Sequence, residues 1–448
     1  MRKKRLILVI MFLFLAIAPS SSRAIGVVQT SDIITPTEKT HREEIAPILF
    51  SLVIILLAAK LGGDLVERIK QPAVLGELVF GVIIGNLSLA GFEWFEVLKE
   101  HSTLEILAEI GVIILLFEVG LESRLQDMLS VGLTSIFVAT IGVVVPFALG
   151  WLVSMLFFSG NSIYVNVFIG ATLTATSVGI TARVLKDIGK IQARESKIIL
   201  GAAVIDDILG LVVLAVVVGI IAAHNVGGTV SALAVFWIIL KAFLFIAGAL
   251  LLGTVAAPRL FRAASKLRAQ SVLITFSLIF CFLLALLAEK LGLAPIVGAF
   301  TAGIILSEIN FKDIFTKETR QLEELLRPIS AFLVPVFFVY MGLNVDLATF
   351  GQAHVLIFAL VLTIAAIVGK QSCSLVGLFA GKINAWAIGV GMVPRGEVGL
   401  IFAGIGATLT VDGHRVISSD AYSAVIIMVI LTTIITPPIL KLIFSDRR

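Results

Sequence analysis

Two adjacent carboxylates, Asp206 and Asp207, lie in the middle of the apolar run 198–219. The run is long enough to cross a bilayer as one helix, and an Asp at the centre of such a helix costs about 2.5–3.5 kcal/mol on insertion scales. Because ionisable side chains inside membranes usually serve function, the pair indicates a site that holds a cation or a proton. The alternative is a structural salt bridge. Neighbouring side chains on a helix diverge, however, so both carboxylates cannot easily meet one partner.

Four other charged residues lie within apolar sequence: Lys370, Arg395, Glu397 and Glu118. Lys370 is deep in the run 354–379, where a lysine needs a carboxylate partner, and one of the two Asp residues is the natural one. The ion pair would be purely structural or would titrate during function. Arg395 and Glu397 follow a proline and are expected to neutralise charge around a broken helix. Glu118 either lines an ion path or is a hydrogen-bonded packing residue.

Composition excludes a soluble protein. Of 448 residues, 59% are hydrophobic and 14% are charged, with a mean hydropathy of +1.10, whereas soluble domains are about one quarter charged. The net charge of +4 needs no nucleic-acid partner, because Lys and Arg concentrate in the cytoplasmic loops of membrane proteins. The five histidines lack ligand-like spacing and both cysteines lie in apolar runs, so no cofactor is expected.

The N-terminus reads as a signal peptide over residues 1–23, with a basic start, a short apolar stretch and small residues at its end. Cleavage is favoured over retention as an anchor. The Lys and Arg residues of the loops place the N-terminus outside and the C-terminus inside. The chain ends soon after its last apolar run, so no nucleotide-binding domain is expected.

Thirteen apolar runs predict thirteen membrane-spanning helices, at 46–62, 72–91, 103–121, 129–158, 163–185, 197–222, 230–256, 271–290, 293–308, 328–343, 354–379, 385–409 and 419–443.

An internal repeat relates the two halves of the chain. Residues 65–85 resemble residues 287–307, and at the same offset of 222 residues LFEVGL at 116–121 matches FVYMGL at 338–343. At nearly the same offset, TSVGI at 176–180 matches GEVGL at 396–400. Spans one to six therefore echo spans eight to thirteen, with span seven as a linker. The offset is an odd number of spans, so the repeat is inverted, as in many secondary transporters.

Two spans at equivalent positions of the repeat are expected to break. Span five contains GATLTATSVGITARV at 170–184, which is rich in hydroxyls and glycine and includes Thr176. Span twelve contains GVGMVPRGEVGL at 389–400, where Pro394 removes a helical hydrogen bond. Broken helices at corresponding positions are the usual location of a transporter's ion site. Plain small-residue packing is the alternative for span five.

These motifs resemble those of the bacterial sodium/proton antiporters of the monovalent cation:proton antiporter superfamily, in the branch with an Asp-Asp pair. The resemblance rests on TATSVGITARVL, AAVIDDILG, IAAIVGK and MVPRGEVGLI in this order. It implies an all-α polytopic fold in which a core domain with crossed broken helices moves against a dimer domain. The implied divisions are a signal peptide (1–23), the first half of the dimer domain (24–128), a core bundle (129–222), a linker helix (230–256), the second half of the dimer domain (271–343) and a second core bundle (354–443).

The resemblance also implies the roles of the site residues. Asp207 would bind both the monovalent cation and the proton, Asp206 would pair with Lys370, and Thr176 would assist. The implied activity is electrogenic exchange of Na⁺ or Li⁺ for H⁺ by a homodimer in the bacterial inner membrane, without a cofactor. The alternatives are K⁺/H⁺ exchange and sodium-coupled symport of an organic solute on the same fold. Arg395, Glu397 and Glu118 would be supporting charges.

Overall fold

The chain was analysed as a computed structural model. It describes residues 36–69, 71–92, 95, 97–100, 102–122, 132–158, 162–225, 232–307, 309, 311–314, 321–379, 383–411 and 413–445. The predicted signal peptide, residues 1–23, lies outside the described residues. The described residues up to Pro47 belong to a separate unit, and all contacts described below lie within Ile48–Arg448.

The described part of the chain is built from helices, with one hairpin of two very short strands. The helices before the linker are α1 (Pro36–Arg68), α2 (Ala73–Gly85), α3 (Val97–Glu100), α4 (Ser102–Glu122), α5 (Gly132–Phe157), α6 (Ile163–Thr172), α7 (Val178–Asp187) and α8 (Arg194–Asn225). The helix at the position of the predicted linker is α9 (Ala232–Ala264). The helices after it are α10 (Val272–Lys290), α11 (Pro295–Ser307), α12 (Phe311–Ile314), α13 (Leu322–Leu343), α14 (Ala353–Gln371), α15 (Ser374–Phe379), α16 (Ala385–Gly391), α17 (Gly396–Thr408) and α18 (Ser419–Ser445). The hairpin pairs β1 (Thr410–Val411) with β2 (His414–Arg415), and 3₁₀ turns cover Leu87–Ala90 and Leu347–Gly351.

The helices follow the predicted apolar runs, and the protein is an all-α polytopic membrane protein. Eight helices of the described residues are long and apolar enough to cross a membrane, and the bent pair α16–α17 makes nine. The other predicted runs also form helices, but these are short (α2 and α11), broken (α6–α7) or acidic (α4). The thirteen predicted runs therefore correspond to helices or helix pairs, although fewer than thirteen qualify as spans by length and composition alone.

Glycines bring the two halves of the repeat together in equivalent contacts. A Cβ on Gly81 of α2 would collide with the carbonyl of Val339 on α13, and a Cβ on Gly303 of α11 would collide with the carbonyl of Phe117 on α4. Both members of the first contact map onto the second by the offset of 222 residues. The repeat predicted from the sequence thus recurs in the packing, where only glycine permits the backbones to approach this closely.

One contact marks the axis that relates the two halves. Gly111 of α4 packs against the carbonyl of Leu333 on α13, and these two residues are also equivalent at an offset of 222. Two equivalent residues can touch each other only where the symmetry axis passes between them. The two broken helices also contact each other through equivalent residues, since Ser177 and Glu397 are related by an offset of 220 residues and are hydrogen-bonded.

Candidate ion-binding site

The two predicted helix breaks are present, and their backbones are hydrogen-bonded to each other. The first lies between Thr172 of α6 and Val178 of α7, and the second between α16 and α17, whose axes differ by 43°. Ser177 N donates to the Pro394 carbonyl at 2.8 Å, and Thr181 Oγ1 donates to the Gly391 carbonyl at 2.6 Å. Carbonyls released by one break are thus satisfied by donors of the other, which makes the crossing stable inside a membrane.

Arg395 and Glu397 connect the same two segments through their side chains. Ser177 Oγ donates to Glu397 Oε2 at 2.7 Å, and the guanidinium of Arg395 donates to the carbonyls of Ala175 and Ala366. Arg395 is fully buried. Among the described residues its hydrogen bonds go to carbonyls rather than to a carboxylate. Its guanidinium therefore joins the first break, at Ala175, to α14, at Ala366, and its role in neutralising charge around the broken helix stays a prediction.

A buried ion pair lies beside the crossing. Lys370 Nζ is 2.8 Å from Asp206 Oδ1, and neither side chain has any exposed surface. Lys370 occupies the last turn of α14, and Asp206 lies in the middle of α8. Because water cannot solvate either group, each charge depends on the other, and loss of one partner leaves the second charge buried and uncompensated.

Asp207 is the neighbouring carboxylate without an ion-pair partner in the described part of the chain. It is buried, with an exposure of 9%, and its electrostatic neighbours are Asp206, Glu397 and Lys370. Oδ1 of Asp207 and Oδ2 of Asp206 are both buried without a hydrogen-bond partner among the described residues. Such orphaned acceptors are rare in proteins, and a cation, a proton or water satisfies them. Thr176 faces Asp206 from the first break.

Glu118 makes its side-chain contacts with α13. Its side chain is hydrogen-bonded to Ser330 and faces Arg327, both near the start of α13. Of the residues singled out in the sequence, the structure therefore groups Asp206, Asp207, Thr176 and Lys370 with Arg395 and Glu397 around the two breaks. It assigns Glu118 to a different helix contact.

Sequence reasoning missed two residues of the site, Thr181 and Cys373, and included Ser177 only as one hydroxyl of the run around Thr176. Thr181 belongs to the same hydroxyl-rich run, which was the available signal. Cys373 follows Lys370 by one helical turn and donates to the Val138 carbonyl of α5 at 3.3 Å. No feature of the sequence distinguishes it from an ordinary buried cysteine.

The family model "Sodium/hydrogen exchanger, transmembrane" matches residues 48–445. The chain belongs to the sodium/hydrogen exchanger family. The match includes the helices α2 to α18 and all the residues placed around the two breaks. It agrees with the resemblance that the motifs around Asp206 and Asp207 indicated.

Relatives within the exchanger family match along nearly their full length. The high-affinity Na⁺/H⁺ antiporter NhaS3 of Synechocystis is 38% identical over 443 residues, covering 90% of this chain and 92% of that protein. The Na⁺/H⁺-K⁺ antiporter GerN of Bacillus cereus is 38% identical over 405 residues, covering 89% and 96%. Among solved structures, the sodium proton antiporter MjNhaP1 of Methanocaldococcus jannaschii has the same fold, with a TM-score of 0.66 at 17% identity, covering 89% of this chain and 97% of that one.

Proposed function

We propose that this exchanger moves Na⁺ or Li⁺ in one direction and H⁺ in the other through one site at Asp207. The observation that carries the proposal is the buried carboxylate of Asp207, which has an orphaned oxygen beside a paired Asp206 and Lys370. The relatives NhaS3 and GerN, both named as antiporters that exchange Na⁺ and H⁺, support the same exchange. The chain is a transporter, and we assign it no enzymatic activity.

Each group has a distinct chemical task. Carboxylate and hydroxyl oxygens suit small hard cations, so Asp207 binds the cation, and Thr176 and Asp206 add oxygens. A proton on Asp207 removes the charge that attracts the cation, and the two ligands therefore compete for one carboxylate. When Asp206 joins the cation site, Lys370 loses its partner and releases its proton. Two protons then move for each cation, and the exchange is electrogenic.

The mechanism requires alternating access across a bilayer. In our proposal the core bundles (129–222 and 354–443) carry the site and move against the dimer domain (24–128 and 271–343) of a homodimer. The membrane is the bacterial inner membrane, with the N-terminus outside after signal cleavage and the C-terminus in the cytoplasm. There the exchange would serve sodium extrusion and pH homeostasis. The charged residues that bridge the two breaks keep the crossing intact during this movement.

Potassium is the second candidate cation. GerN is named as an antiporter of K⁺ as well as Na⁺, and oxygen ligands also bind the larger monovalent ion. The functional experiment therefore compares the two ions.

Proteoliposomes with an internal pH dye test the proposal. We expect Na⁺ or Li⁺ to collapse an imposed ΔpH and K⁺ to do so weakly, with a rate that depends on membrane voltage. The matched control is Asp207→Asn, which removes one charge at nearly constant volume. Sodium uptake that needs an organic solute would indicate symport, and a ΔpH unaffected by all three cations would reject the proposal.

A further inference from the structure

The Lys370–Asp206 ion pair lies directly against the backbone of α5. A Cβ placed on Gly142 would be 3.4 Å from Asp206 Oδ1, 3.5 Å from Lys370 Nζ and 3.1 Å from Cys373 Sγ. Both charged atoms therefore lie at van der Waals distance from this position, and no side chain separates them from the helix. The backbone of α5 is accordingly part of the environment of the pair.

Pro146 changes that backbone at the same place. It lies inside α5, four residues after Gly142. Proline has no N–H, so the Gly142 carbonyl lacks the donor that an uninterrupted helix would supply. Pro146 also packs against α14 next to Lys370, because a Cβ on Gly369 would lie 2.9 Å from its Cα. The residue that borders the ion pair is therefore also the one whose carbonyl is released from its helix.

Lys370 needs such an acceptor whenever Asp206 is occupied. Its amine is fully buried and donates hydrogen bonds whether charged or neutral, and a buried donor without an acceptor is costly. In the proposed cycle a proton or a cation occupies Asp206 at one stage. At that stage the lysine must turn to another oxygen.

The other side chains around the pair do not provide one. On α8, Asp207 is itself taken by the cation or proton, and Thr176, which faces Asp206 from the first break, gives its oxygen to the cation in the proposed site. At the start of α17, Glu397 already accepts from Ser177, and Arg395 can only donate. Cys373, after α14, is a weak acceptor whose thiol donates to α5. The α5 helix presents a glycine at this point, and hence no charged side chain.

We propose that the Gly142 carbonyl, released by Pro146, is the second position of the Lys370 amine. The amine binds Asp206 in one stage of the cycle and the Gly142 carbonyl in the stage when Asp206 is neutralised. Pro146 is then a positioning residue that keeps the carbonyl available. This inference rests on the proposed exchange and adds the residue that allows the lysine to change partners.

Two substitutions separate the backbone effect from packing. Pro146→Ala and Pro146→Val both restore an N–H that competes for the Gly142 carbonyl, but Val keeps most of the volume of proline and Ala does not. With the second position weakened, Lys370 stays on Asp206 and opposes its neutralisation. We expect both variants to weaken the apparent Na⁺ affinity about tenfold. The acidic limb of the pH profile should move down by about one unit.

Controls use the same assay in proteoliposomes. Pro335→Ala makes the same backbone change inside α13, away from the pair, and should leave both readouts unchanged. In a Lys370→Gln background, Pro146→Ala should have no further effect on the residual exchange or on cation binding. Thermal stability in detergent checks that each variant is folded.

The outcomes are distinguishable. Equal shifts in Pro146→Ala and Pro146→Val that vanish in the Lys370→Gln background support the second position. A shift in Pro146→Ala alone, no shift in either variant, or a shift that persists without Lys370 overturns it. Absence of exchange in the unmodified protein would instead reject the proposed function, and this inference with it.

Discussion

Removal of Lys370 should destabilise the protein far more than removal of an exposed basic residue. In Lys370→Met the side chain keeps its length but loses its charge, and Asp206 remains buried with no exposed surface. Breaking one side of a buried pair costs about 3–5 kcal/mol, because the second charge is left without a partner. The pair Arg68–Asp64 provides a matched control: its atoms are 2.6 Å apart, but its side chains are 61% and 58% exposed. Arg68→Met should cost less than about 1 kcal/mol.

A double variant tests the cause of that loss. Lys370→Met combined with Asp206→Asn removes both charges, so most of the penalty should disappear. We expect a coupling energy of at least about 2 kcal/mol, well above the roughly 0.5 kcal/mol found for independent sites. Reversible unfolding in mixed detergent and denaturant, followed by tryptophan fluorescence, provides the free energies. Additive effects of the two substitutions, or equal effects of Lys370→Met and Arg68→Met, would refute the reasoning.

Three further predictions concern the site, the repeat and the contact between domains. Asp207→Asn should abolish Na⁺-driven proton movement while the protein stays folded, since an amide neither binds nor releases the proton; exchange at the normal rate would contradict the assignment. Gly303→Val should destabilise by about 1–3 kcal/mol because its Cβ meets a carbonyl of α4, whereas Gly248→Val, with nothing within 4 Å, should stay within about 1 kcal/mol in thermal unfolding. Tyr422→Phe removes the 2.8 Å hydrogen bond from α18 to the Met341 carbonyl of α13. That bond joins the two proposed domains, so its loss of about 1 kcal/mol should change turnover severalfold with little change in folding, and an unchanged turnover would exclude this contact from the rate-limiting movement.

The helices and their breaks were predictable because both follow from local chemistry. Long apolar runs have few alternatives to helix in a bilayer. The positions of the breaks were indicated by Pro394 and by the hydroxyls around Thr176, and the structure has non-helical residues at both places. The short helices α2 and α11 were also found from the sequence as apolar runs, although neither helix is long enough to span alone.

The partners of the buried charges were less predictable. A sequence fixes the spacing of residues along a helix, but not the rotation of that helix against its neighbours. Asp206 and Asp207 are adjacent in the sequence, and only the packing of α8 decides which of the two carboxylates pairs with Lys370. Glu118 illustrates the same limit, because its partner Ser330 depends on how α4 is rotated against α13. Arg395 is a different case: its partners are carbonyls, and no residue type in the sequence marks a carbonyl acceptor.

The helices follow the symmetry of the repeat, but the buried ion pair does not. The helical frame is nearly symmetric. Ser177 and Glu397 are equivalent at an offset of 220 residues and bind each other, as expected for residues on a pseudo-twofold axis. The ion pair does not obey that symmetry. At an offset of 222 the counterparts of Asp206 and Lys370 are Met428 and Ala148, which carry no charge. The two repeats can therefore exchange conformations as similar halves, while the carboxylates belong to only one of them. A frame with two related conformations and a single charged site is what alternating exchange through one carboxylate requires, because the same site must face each side in turn.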